Sequence, residues 1–105
     1  MKVHMKAAIS VLALAAVGAG PAQAQDDVSF ILNWVTAGEH AAVFYADHAG
    51  WFEEAGLNVD IQQGQGSGVA AQRVGAGASQ MGIADLGTAM VAKGSGADLV
   101  AVMNI

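Results

Sequence analysis

The feature that most constrains this chain is a regular alternation. Short apolar runs are separated by helix-like stretches that carry their own start and stop signals. Val28 to Leu32 is compact, apolar and rich in β-branched and aromatic residues, which reads as a first strand. Thr36-Ala37-Gly38-Glu39 fits a capping box, in which Thr36 and Glu39 each bond the other's backbone N–H. A helix from there to about Ala49 would stop at Gly50, and Trp51 to Ala55 would add a short turn ended by Gly56. Leu57, Val59 and Ile61 then alternate with Asn58, Asp60 and Gln62, the period of a second strand.

The pattern continues through the second half. Gly64 to Gly68 is a loop, and Val69 to Val74 reads as a short helix with Ser67 as its N-cap. Met81 to Ala84 is a third strand, and Asp85 caps a helix over Leu86 to Lys93 that ends at Gly94. Asp98 to Ile105, almost wholly apolar, is a fourth strand. The order β-α-β-α-β-α-β predicts an α/β fold with a parallel sheet and right-handed crossovers. Such sheets are covered on both faces, and no helix follows the last strand. The expectation is a truncated reading frame, one part of a longer design. A bare apolar strand would make it prone to aggregate.

Composition closes off other classes. A net charge of −5 argues against nucleic acid as a partner, since phosphate binding runs on clustered Lys and Arg. The chain has no cysteine, hence no disulfide framework and no thiolate metal site. With 54% apolar and 12% charged residues it is too hydrophobic for disorder. Residues 1–24 read as a cleavable signal peptide rather than structure. Lys2 and Lys6 precede the uncharged run Ala7 to Ala19, Gly20-Pro21 breaks it, and Ala22-Gln23-Ala24 supplies an A-x-A site. The run is short for a membrane span of about 20 residues. Cleavage after Ala24 leaves one domain, residues 25–105, with only Arg73 and Lys93 against nine acids. The expected compartment is the periplasm.

Several segments in register resemble the SsuA/THI5-like (NMT1) family. They are Phe30-Ile31-Leu32-Asn33-Trp34, Gly38-Glu39-His40-Ala41, Gly50-Trp51-Phe52-Glu53-Glu54-Ala55-Gly56-Leu57-Asn58-Val59, Gly64-Gln65-Gly66-Ser67-Gly68 and Gly82-Ile83-Ala84-Asp85. The resemblance implies the opening part of lobe one of a type II periplasmic binding protein. It also implies a monomeric solute-binding component of an ABC importer that closes on a small molecule and passes it to a membrane permease. Thiamine pyrimidine precursors, alkanesulfonates and taurine are the associated ligands. Fungal relatives are synthases with a cysteine-rich iron motif, which a chain without cysteine does not share. The expectation is therefore a binding protein, not an enzyme, with no cofactor. A secreted α/β enzyme domain cut short is the alternative.

Candidate ligand contacts follow. Trp34 stands just after strand one, where open parallel sheets bind ligands. Its indole can stack on a flat heterocycle, or it packs between lobes. Asn33 can bond ring nitrogens or close the turn. By resemblance the Asn33-Trp34 pair lines the cleft of pyrimidine binders and His40 faces it. Tyr45 can reach the cleft with its hydroxyl or pack by its ring. Gly66, Ser67 and Gly68 open a helix and can seat an anion, or supply only a turn. Asp85 is a helix cap with a possible ligand contact. Trp51 and Phe52 read as core. Glu39, His40 and His48 do not make a metal site, because eight residues span about 12 Å along a helix. Gly66-x-Gly68-x-x-Ala71 matches a dinucleotide fingerprint, but the preceding strand is half polar. No nucleophile–base pair stands out.

Overall fold

The computed structural model describes residues 24–105. The segment read as a leader lies, but for Ala24, outside the described residues. Three strands are present, β1 (Asp26–Ile31), β2 (Leu57–Gln62) and β3 (Met81–Gly82), in one all-parallel sheet of order β2-β1-β3. The expected α/β class with a parallel sheet is thus observed. β1 is central because it is the most apolar at its carboxyl end, where Ile31 and Leu32 are fully buried. In β2 the alternation holds: Val59 and Ile61 are half-buried, while Asn58 and Asp60 face solvent. Asn58 bonds across the sheet to Asp27 at 2.7 Å.

β3 has only two residues, but the sheet runs further than it does. The side-chain Oε1 of Gln80 accepts from the Ser29 N–H and hydroxyl, both at 2.8 Å, standing in for a strand carbonyl. Ile83 N–H donates to the Ile31 carbonyl at 2.9 Å.

A 3-10 turn (Gly38–His40) leads into α1 (Ala41–His48), followed by the short α2 (Trp51–Glu54). Gly50 sits between them with φ 77°, the left-handed geometry expected of a residue that ends a helix. α3 (Ser67–Gly75) and α4 (Leu86–Gly94) cross over from β2 and β3 and pack on each other. Ala70 and Ala71 of α3 complete the small buried core.

Five sequence expectations are corrected. Asp98–Ile105 forms no strand, and Val100, Val102, Met103 and Ile105 are exposed. An apolar run becomes a strand only when a neighbour presents a ladder edge, and none pairs with this segment among the described residues. The capping box does not use Thr36. Ala37 takes the cap position, and the His40 ring accepts its N–H. Ser67 does not cap α3 but begins it, after Gly66. α4 runs through Gly94, and the left-handed residue comes later, at Gly96. Trp51 is not core: it is half-exposed and meets Tyr45 edge-to-face, ring centres 5.5 Å apart.

Candidate functional site

In a parallel sheet every loop that follows a strand emerges at the same edge. Here those loops begin at Leu32, Gln63 and Ile83. Two of them are clamped together through the backbone. Gly64 N–H donates to the Trp34 carbonyl at 3.0 Å, and Gly66 N–H donates to the Asn33 carbonyl at 2.7 Å. The approach is so close that a side-chain carbon on Gly64 would overlap the Leu32 carbonyl oxygen. The glycines therefore hold Asn33 and Trp34 in place. In consequence two N–H groups of the Gly64 to Gly68 loop, those of Gly64 and Gly66, are already bonded and closed to an anion.

His40 governs the other side of this edge. Its ring is 1% exposed. Nδ1 accepts from the Ala37 N–H at 3.1 Å, so the neutral ring carries its proton on Nε2. Nε2–H donates to Asn33 Oδ1 at 2.7 Å. That bond fixes which end of the Asn33 amide faces inward, and the Nδ2 amine is left pointing toward Glu39. The Nδ2···Oε1 distance to Glu39 is 3.4 Å, at the outer limit of a hydrogen bond. The Glu39 side chain is 61% exposed, and the neighbouring Trp34 is 55% exposed. The sequence reading did not place Glu39 beside Asn33, because its position next to His40 looked like helix capping. Only chain closure from Asn33 to His40 puts its carboxylate beside the amide.

Ser67 and Asp85 tie the starts of α3 and α4 together. The Ser67 hydroxyl accepts from the Asp85 N–H at 2.9 Å. Asp85 Oδ1 accepts from the Thr88 N–H at 2.9 Å and from the Thr88 hydroxyl at 3.2 Å, as an N-cap does. These bonds, the backbone one foremost, hold the Asp85 carboxyl below its ordinary range. Gly68 lies exposed in the first turn of α3. Asn33, Trp34, His40, Gly66, Ser67, Gly68 and Asp85 thus share one edge of the sheet. Tyr45 is not joined to them by any hydrogen bond; its ring packs on Trp51. Among the described residues no group of three or more His, Asp or Glu is placed to hold a metal.

A family model described as NMT1/THI5 like matches residues 37–105, about two thirds of the chain. The chain belongs to the NMT1/THI5-like family. Similar curated proteins are the 4-amino-5-hydroxymethyl-2-methylpyrimidine phosphate synthases THI11 and THI5 of Saccharomyces cerevisiae. Each is 28% identical over 80 residues, which cover 76% of this chain and 24% of the synthase. The NMT1/THI5-like chain therefore spans about a quarter of the length of these relatives. No solved structure matches it significantly. The expectation of a protein that only binds is overturned here, because these relatives are named as enzymes. β2, which precedes the dinucleotide-like glycines, lies at the edge of this sheet, whereas the first strand of a dinucleotide fold is central.

Proposed function

We propose that this chain forms the ligand-facing edge of a first lobe that binds a flat nitrogen heterocycle of the thiamine-pyrimidine class. The observation that carries the reading is that the exposed Trp34 directly follows Asn33, whose amide the buried His40 holds in one orientation. An indole face stacks on a heteroaromatic ring for about 0.5–1.5 kcal/mol beyond burial. A fixed amide beside it reads the ring's edge. The names of the yeast relatives, synthases of an aminopyrimidine phosphate, support the same ligand class. The acidic balance of residues 25–105 disfavours a sulfonate or taurine-like anion.

Two roles share this binding step. In the first, the protein is a monomeric periplasmic receptor that gives its ligand to an ABC permease. The leader-like residues 1–24 support that role. In the second, favoured by the names of the relatives, the bound pyrimidine belongs to a synthase reaction. Calorimetry with a formylated aminopyrimidine, thiamine and taurine tests the shared step. Binding of the aminopyrimidine in preference to taurine is expected. Binding of taurine alone, or of none of the three, overturns the proposal. Detection of Gln25 as the mature N-terminus in periplasmic extract would support the receptor role, and uncleaved protein in membranes would count against it.

A further inference from the structure

The same edge carries a more specific selection device, one that rests on the reading just given. We infer that Asn33 and Glu39 together read a ring nitrogen flanked by an amino group, and that Glu39 is the residue that sets this preference. The chain of constraint starts at His40. Because Nδ1 is committed as acceptor to Ala37 N–H, Nε2 must donate, and Asn33 must offer it Oδ1. The Asn33 amide cannot turn over without facing Nε2–H with its own N–H groups. Asn33 therefore presents a donor outward, and no other polarity.

Glu39 supplies the complement. Its carboxylate is an acceptor only, and it stands 3.4 Å from the Asn33 amine. At that separation the two groups hold each other weakly, so both keep bonding capacity for a third body. A donor beside an acceptor matches a ligand edge that shows an acceptor beside a donor. The ring nitrogen and amino group of a 4-aminopyrimidine have that order. A 4-oxo pyrimidine has it reversed, with N–H beside C=O, and would set like against like at both positions. Trp34, next along the chain and exposed, offers the ring face that such a ligand needs.

The test uses the full chain and two probes that differ in one group, a 4-amino-2-methylpyrimidine and its 4-oxo counterpart. Calorimetry should show the amino probe binding at least about tenfold more tightly, the ratio expected of a two-bond edge contact. Glu39→Gln, at an exposed position that leaves the fold alone, should cut that preference to within about threefold by offering a donor as well. Asn33→Asp keeps an acceptor toward His40 and replaces the outward donor, so it should weaken the amino probe about tenfold. Equal binding of the two probes by the unaltered chain overturns the inference while leaving heterocycle binding intact. An undiminished preference in Glu39→Gln overturns the role of Glu39. Failure of both probes to bind overturns the inference together with the reading beneath it.

Discussion

Gly64 and Leu32 pack backbone to backbone. A side-chain carbon placed on Gly64 would lie 2.7 Å from the Leu32 carbonyl carbon and 2.8 Å from that of Asn33, far inside van der Waals contact. Both neighbours are main-chain atoms just past the end of β1, so neither can swing away as a side chain could. Gly64→Ala should therefore unfold the chain or lower its stability by about 4 kcal/mol, at the far end of what single substitutions do. Gly94→Ala, in a helix with open space around it, should be neutral or raise stability by about 0.5–1 kcal/mol. Urea unfolding of the two variants checks the contrast, and similar effects at both sites would show that the clamp is not rigid.

Removal of the His40 ring strips the Asn33 amide and the Ala37 N–H of their partner and opens a hole beside α1. His40→Ala should cost about 1–3 kcal/mol, measured by denaturant midpoint. Ligand preference should fall as well, since Asn33 is then free to turn over. A variant of unchanged stability would show that the buried ring holds nothing in place.

Trp34→Ala should leave the unfolding midpoint nearly unchanged, because the ring is half-exposed, yet weaken heterocycle binding by more than about 1 kcal/mol. Ser67→Ala should do the reverse. It removes the acceptor for Asp85 N–H and loosens α3 from α4, with little effect on the ligand. Binding unchanged in Trp34→Ala but abolished in Ser67→Ala would reject stacking and favour an anion seat.

The Asp85 cap gives a pH dependence of definite sign. The carboxyl is held below its ordinary range by Thr88 in the folded state. Its contribution is present above the unfolded value and is lost as pH falls through the folded value. Acid should therefore destabilise the native chain more than Asp85→Asn, which can cap α4 without titrating. Parallel pH-stability curves for the two proteins would rule this out.

Ser79 is 1% exposed, and its hydroxyl has no hydrogen-bond partner among the described residues. Ser79→Ala should raise stability by about 1 kcal/mol by removing an unsatisfied buried group. A loss of stability on thermal unfolding would mean that the hydroxyl is paired after all.

Local chemistry was legible in the residues themselves. The alternation Leu57, Val59, Ile61 specifies a strand with one wet face, Asp85 specifies a helix start, and Gly50 specifies a helix end. Each depends only on neighbours within one turn or one strand, so a sequence contains the whole cause. The parallel sheet followed from their order, and the edge where the loops after the strands gather followed from the sheet. What lay beyond the sequence was every property that needs two distant segments at once. Asp98–Ile105 is apolar enough for a strand but has no paired neighbour, so pattern alone misjudged it. Gln80 replaces a strand carbonyl with its side chain, which no periodicity records. The exchange of bonds from Ala37 through His40 to Asn33 decides which way an amide points and where Glu39 meets it. Those choices rest on distances of a few ångströms between residues three, six and seven apart on an irregular turn. Only the folded chain determines such distances, because no repeating backbone geometry relates the residues on that turn.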